Sequence, residues 1–242
     1  MGTYNFSRRL FRISHSAEFY ADEKSYGVSS SPMPWDLAAL QHLYGANQET
    51  NKGDTTYTYS NTVPFYKTIW DASGNDTLDL SNFNKDLAIN LTDGGLSTLS
   101  FDVDDRRWSN KQHGNLGIAF GCIIENATGG TGNDSIIGNS ADNNLRGNEG
   151  ADTLNGGLGQ DVLTGGMGQD TFQIQPGKGH AVVKDFTDGD DKILVPVPVP
   201  ANVNIRIVGN NIELRSGDDL MAIVLGSSEL MGSLQQDGLE LF

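Results

Sequence analysis

The most regular chemical groups in this chain are oxygen donors. Read in nines from Gly129 to Gln173, the sequence runs GGTGNDSII, GNSADNNLR, GNEGADTLN, GGLGQDVLT and GGMGQDTFQ without a gap. The sixth place holds Asp134, Asn143, Asp152, Asp161 and Asp170, and the eighth holds Ile136, Leu145, Leu154, Leu163 and Phe172. Glycines in the early places of each unit permit backbone angles closed to other residues, so the first six residues can turn sharply with carbonyl oxygens pointing inward. Carbonyls plus a recurring carboxylate make the all-oxygen shell of about six to eight ligands that Ca²⁺ accepts. A compact octahedral magnesium site does not suit such a turn. A Gly/Asp-rich linker is the plain alternative, but a linker has no reason to keep an apolar residue at every eighth place.

Three residues of each unit remain to form a strand, and only the eighth-place side chain faces inward. One buried aliphatic group cannot offset the ordering of nine backbones at about 1–2 kcal/mol each. Stacking also gathers charge of one sign, because residues 129–173 contain five Asp and one Glu against Arg146 alone. The metal-free repeats are therefore expected to be unfolded, with binding and folding as one event.

Around the array, PMPWDLAALQHLYGAN (32–47) reads as a short helix, with prolines at its entry, Leu37, Leu40 and Leu43 on one side, and Gly45 as its stop. It is expected to lie as a lid on the β structure. From Thr55 to Asn126, short alternating stretches such as TTYTYS and LAINLT are separated by turn clusters, and DDRRWSNKQH (104–113) reads as an exposed loop. After the repeats, PVPVP (196–200) must be a connector outside any central strand. VNIRIVGNNIELRS reads as a hairpin about Gly209 to Asn211, and MAIVL as a further strand. Residues 1–31 show no clear period. The fold class expected is mainly β: a parallel β-roll with a short N-terminal helix and a C-terminal antiparallel hairpin or sandwich cap.

Composition narrows the partners. The 242 residues carry a formal charge of −15, which repels nucleic acid. Thirty glycines without a Gly-X-Y period point to tight turns. Cys122 is the single cysteine, so no intrachain disulfide can staple the fold, and a buried structural thiol is expected there. No apolar run approaches the roughly 18 residues of a membrane span. The start, MGTYNFSRRLFRIS, lacks the apolar stretch of a secretory signal.

The nonads resemble the GGxGxDxUx repeats of RTX proteins. From PMPWDLAALQHLYGAN onward the chain also resembles the C-terminal part of serralysins, secreted bacterial zinc metalloproteases. The landmarks are LYGAN, NKGDTTY, WDASGNDTLDLSNF, INL, IENATGGTGND, the nonads and DFTDGDDKI, all in order. The resemblance implies several structural Ca²⁺ ions, each shared by turns two units apart, with second- and fourth-place carbonyls and the sixth-place side chain as ligands. Glu125 and the Ile123 carbonyl would face Asn139, Ala141 and Asn143, and Gly130, Gly132 and Asp134 would face Asn148, Gly150 and Asp152. The turn of Asn139, Ala141 and Asn143 would also face Gly157, Gly159 and Asp161, and that of Asn148, Gly150 and Asp152 would face Gly166, Gly168 and Asp170. A separate site would join Asn51, Gly53 and Thr55 to Asp71, Ser73 and Asp76, where Asn51 and Ser73 replace the family's more usual Arg and Gly. Asp185 and Asp190 are candidates for a last ion.

The resemblance divides the chain into an unassigned segment, 1–31, and a serralysin-C-terminal-like domain, 32–242, in which the cap and a C-terminal secretion signal occupy 174–242. The end, DGLELF, resembles the family's uncleaved type I signal. The type I secretion apparatus is then the partner during export, the location is extracellular, and the sequence does not name an extracellular target. The metzincin motif HExxHxxGxxH and the Met-turn are absent, and His15, His42, His113 and His180 have no ligand spacing, so neither zinc nor catalysis is expected of this chain. Two other readings stand beside this one. The natural protein could be a serralysin-like protease whose catalytic domain this chain lacks, or an adhesin whose Arg106, Arg107 and Trp108 touch a carbohydrate or protein.

Overall fold

The computed structural model describes residues 31–103, 114–177, 179–187, 189–195, 203–226 and 239–241. Residues 1–30, the loop 104–113 and PVPVP lie outside them. Among the described residues no helix is long and apolar enough to cross a membrane.

Helix α1 spans Pro34–Tyr44. The Asp36 carboxylate accepts the Met33 N–H at 3.1 Å, and the Gly45 N–H closes the helix on the Gln41 carbonyl at 2.8 Å. Its inward face differs from the expected one. Pro34 is buried and Leu37 packs against the core, while Leu40 is exposed and Leu43 is 69% exposed. Positions 34, 37 and 41 share a face at helical spacing, and Leu40 and Leu43 fall progressively around the cylinder from it.

The strands alternate between two sheets. One contains β1 (Thr56–Thr58), β3 (Thr77–Asp79), β7 (Asn126–Thr128), β9 (Asn144–Glu149), β11 (Gly159–Met167) and β13 (Gly179–Val183). The other contains β4 (Ala88–Asn90), β8 (Ser135–Ile137), β10 (Thr153–Asn155), β12 (Thr171–Gln173), β14 (Lys192–Val195) and β18 (Leu239–Leu241). All of these neighbours pair in parallel, and a third, small sheet joins β2 (Lys67–Ile69), β6 (Leu116–Ile118) and β5 (Leu96–Ser97).

Register follows the repeat. Ile136, Leu154, Phe172 and Ile193 align in one sheet, and Ala127, Leu145, Leu163 and Val183 in the other, all buried in one continuous apolar cluster. The three-residue strands bury only their middle residue, as expected of places seven to nine. β11 is longer, because its pairing continues into the turns, with Gly159 opposite Gly179 and Gly166 opposite Asn148.

The parallel order ends at β17 (Asp219–Val224), which pairs in parallel with β13 and antiparallel with β16 (Asn211–Ser216). β16 forms the expected hairpin with β15 (Val203–Val208) across Gly209 and Asn210, where Gly209 takes φ 64°. The C-terminal strand β18 pairs with β14, so part of DGLELF adds to the edge of a sheet.

Candidate metal centre

The turns between the strands stack, and their sixth places form two columns. One runs Leu87, Asp134, Asp152, Asp170, Asp191; the other runs Thr55, Asp76, Glu125, Asn143, Asp161 and ends at Ala181, opposite Asp161. Along the columns, except between Glu125 and Asn143 and at Ala181, the backbone N–H of one turn donates to the sixth-place side chain two units on. The distances are 2.7 Å from Asp134 N–H to Asp152 Oδ1, 2.9 Å from Asp152 N–H to Asp170 Oδ1 and 2.9 Å from Asp170 N–H to Asp191 Oδ1. In the other column Asn143 N–H reaches Asp161 Oδ1 at 2.9 Å, and Thr55 N–H reaches Asp76 Oδ1 at 2.8 Å. The column bond engages one oxygen of each carboxylate, which keeps a further lone pair, and leaves the second oxygen outside the column.

That second oxygen is treated in two ways. Asp134 Oδ2 accepts the Gly130 N–H at 2.6 Å, and Asp191 Oδ2 accepts the Thr187 N–H at 2.7 Å. By contrast Asp76 Oδ2, Asp152 Oδ2 and Asp170 Oδ2 are buried with no hydrogen-bond partner. A buried acceptor left unpaired is costly, and more so when charged. Burial accordingly drives the carboxylates up from the ordinary range: Asp76, Asp134, Asp161 and Asp170 to about 6, Asp152 to about 7, and Asp191 upward. For Asp152 the neighbouring charges of Asp134 and Asp170 add to burial, against the relief given by the Asp134 N–H.

Carbonyls crowd the same turns. The carbonyls of Asn139 and Ala141 point at the α-carbons of Gly157 and Gly159, and those of Asn148 and Gly150 point at Gly166 and Gly168, so closely that a Cβ would collide. Gly150 meets the Gly132 carbonyl in the same way. The one non-glycine in this series with positive φ is Asn148 at 87°, whose Nδ2 donates to the Gly129 carbonyl at 2.7 Å. Among the described residues no three His, Cys, Asp or Glu side chains converge, so a cation held here draws most of its ligands from the backbone. Orphaned carboxylate oxygens and lines of close carbonyls fit Ca²⁺.

The structure brings together the expected turn pairs: Gly130–Asp134 lies against Asn148–Asp152, Asn139–Asn143 against Gly157–Asp161, and Asn148–Asp152 against Gly166–Asp170. One detail differs. The Glu125 carboxylate turns toward Asp76, accepting its N–H at 2.7 Å, and only the Glu125 carbonyl meets Asn143, whose Nδ2 donates to it at 2.9 Å.

At the array's end, each Asp185 oxygen accepts one N–H, from Gly165 and from Gly166, both at 2.9 Å, and Asp190 is exposed. The buried column member is Asp191, which sequence reasoning missed. Its signal was an acid two places before an inward apolar residue, Asp191-Lys192-Ile193, matching Asp170-Thr171-Phe172.

In the first loop, Asn51, Gly53, Thr55, Asp71, Ser73 and Asp76 also come together. Ser73 N–H donates to Asp71 Oδ1 at 3.1 Å, Ser73 Oγ to the Lys52 carbonyl at 3.1 Å, and Thr55 Oγ1 to the Gly53 carbonyl at 3.0 Å. Two unexpected neighbours join them. Tyr57 O–H donates to Asp71 Oδ2 at 2.7 Å, and the Asp71 N–H reaches Cys122 Sγ at 3.3 Å. Cys122 is buried as expected, and burial pushes its thiol up to about 12, so it is no reactive thiolate. Burial and then the Asp71 hydrogen bond push the Tyr57 phenol upward, which keeps it a donor.

The profile of the family described as Peptidase M10 serralysin C terminal matches residues 36–221. The chain belongs to the serralysin C-terminal family. Serralysin C of Dickeya chrysanthemi is 41% identical over 153 residues, covering 56% of this chain and 29% of that protein. Metallopeptidase AprA of Pseudomonas marginalis is 42% identical over 123 residues, 46% of this chain and 24% of that one. The serralysin of Photorhabdus luminescens is 38% identical over 157 residues, 57% of this chain and 30% of that one. The matched part of this serralysin C-terminal chain thus spans less than a third of these curated relatives. Among solved structures, the extracellular lipase LipA from Serratia marcescens aligns with a TM-score of 0.35 and 20% identity, over 79% of this chain and 37% of that one.

Proposed function

We propose that this chain is a calcium-binding RTX β-roll domain, non-catalytic in itself, that folds on Ca²⁺ after type I secretion. The observation that carries the reading is the set of buried, unpartnered carboxylate oxygens of Asp76, Asp152 and Asp170 beside rows of carbonyls. The ion supplies positive charge and a coordination shell. The chain's part is to present one carboxylate and the second- and fourth-place carbonyls from each turn. The sites assigned are those of turns two units apart along 129–173, the first-loop cluster Asn51–Asp76, and a terminal one in which Asp191 joins Asp185 beside Asp170. The amide-bearing turn of Asn139, Ala141 and Asn143 carries one charge fewer and is assigned the weaker sites. In low calcium the charged columns keep the array open and able to thread a channel; at millimolar calcium outside the cell it closes. The domain 32–242 would serve in this way as the C-terminal part of a longer serralysin-like protease, in keeping with relatives at least three times the matched length.

Calcium titration of the chelated protein by circular dichroism and calorimetry tests this. A cooperative gain of β signal coincident with uptake of several ions is expected. A fully compact protein in excess chelator at neutral pH, indifferent to calcium, refutes it.

A further inference from the structure

Around the first-loop cluster, one residue does something that packing alone does not ask of it. Tyr57 lies in register with Leu78, which aligns with Ala127 and Leu145, so its place in the turn is the inward apolar one. The later turns of the same sheet fill that place with the aliphatic Leu78, Ala127, Leu145, Leu163 and Val183. Here the ring joins the core and its hydroxyl reaches on to polar partners. It donates to Asp71 Oδ2 at 2.7 Å and accepts from Asn51 Nδ2 at 2.9 Å.

We propose that Tyr57 is the positioning residue of the first-loop calcium site, its hydroxyl holding Asp71 and Asn51 together in the arrangement the ion requires. Asp71 is 2% exposed and is fixed on every side: Oδ2 by Tyr57, Oδ1 by the Ser73 N–H, and its own N–H by Cys122 Sγ. Each of its oxygens has one donor and keeps a lone pair directed elsewhere. Asn51 takes φ 49°, a left-handed conformation that asparagine tolerates, and the bond to Tyr57 restrains the segment carrying the Asn51 carbonyl. Groups that orient a metal ligand without touching the metal commonly govern affinity about 10- to 100-fold. The inference rests on the assignment of calcium to the Asn51–Asp76 cluster.

Terbium is the probe, because Trp70 adjoins Asp71 in sequence and its indole, bound through Nε1 to the Asn47 carbonyl at 3.0 Å, can sensitise a nearby ion. The luminescence phase lost in Asp71→Asn defines the site. Tyr57→Phe keeps the ring and is expected to weaken that phase alone by about ten-fold, with faster release on chelation, while the remaining phases and the melting temperature in saturating calcium stay close to wild type. A Tyr57→Phe affinity within two-fold of wild type overturns the positioning role and leaves the site standing. If wild type shows no Asp71-dependent phase, the site itself falls and the proposal with it. Asn51→Ala leaves the aromatic core intact and removes the donor to the hydroxyl. It should weaken the same phase, so an unchanged phase in that variant refutes the proposal even if Tyr57→Phe fails to fold.

Discussion

Replacing Asp152 by Asn should change stability in opposite directions with and without calcium. Asp152 is 1% exposed, lies between Asp134 and Asp170 in its column, and has one oxygen bonded to the Asp134 N–H and one with no partner. Its carboxyl is raised from 3.8 to about 7, chiefly by burial, so the metal-free fold holds that proton more tightly than the unfolded chain does. Ionising it therefore destabilises the metal-free fold. Near pH 8 a neutral amide removes a cost of up to about 3–4 kcal/mol, from roughly three pK units at about 1.4 kcal/mol each. Near pH 4 the substitution should change little. In calcium the sign reverses, because two shared sites lose a charged ligand. At about 100 times the dissociation constant each filled site contributes about 2.7 kcal/mol, so the loss of both reaches about 5.4 kcal/mol. Asp134→Asn touches one assigned site and should cost about half as much. Urea unfolding followed by far-ultraviolet circular dichroism at pH 8, in excess calcium and in excess chelator, measures both. A change of the same sign in the two media refutes the argument that these carboxylates are placed for a cation.

Wild type without metal should gain β signal on acidification. The raised carboxylates near 6 to 7 make its stability greatest below the unfolded value of about 3.9 and progressively lost as pH rises through 7, and a flat chelator profile from pH 8 to 5 would contradict this. Gly166→Ala places a Cβ against the Asn148 carbonyl at φ 113° and should cost about 3 kcal/mol or more, whereas Gly209→Ala, in open space at φ 64°, should cost about 1 kcal/mol; denaturant midpoints in calcium compare the two. Asp191→Asn should lower calcium affinity in calorimetry, and Asp190→Asn should leave it unchanged; the reverse order would return the column's last place to Asp190.

The repeat made the roll legible because its period states both the turn and the inward residue. Leu145, Leu154 and Leu163 needed only counting to be placed in the core, and the in-register pairing of turns two units apart follows from the same count. Legibility failed where the count breaks. Between Asp170 and Asp191 the spacing is twenty-one residues rather than eighteen, so counting in nines could not reach Asp191, although the Asp-x-apolar step before β14 survived the insertion. The helix face was misjudged for another reason: three leucines at a spacing of three drift around a helix of 3.6 residues per turn, and the core took the side that includes Pro34. Tyr57 escaped notice because an aromatic residue in an alternating strand reads as packing, and nothing in the sequence shows where its hydroxyl ends.

The ends of the two columns bear on how far the proposed calcium dependence extends. Thr55, Leu87 and Ala181 occupy sixth places without a carboxylate, and each adjoins a turn whose acid is already bonded to its neighbour's N–H or lies opposite it in register. Past Ala181, β13 leads to β17 and the antiparallel hairpin, where buried Ile212, Leu214 and Val224 supply the apolar packing that the nonads lack. Folding at that end can rest on side-chain burial, while on the proposed reading folding within the columns would depend on neutralising Asp134, Asp152, Asp161 and Asp170. If so, β15–β17 should stay protected from amide exchange in partial chelation after β8, β10 and β12 have opened, since those short strands bury one side chain each between charged turns. Simultaneous loss of protection in both regions would mean that the hairpin, too, is held by metal.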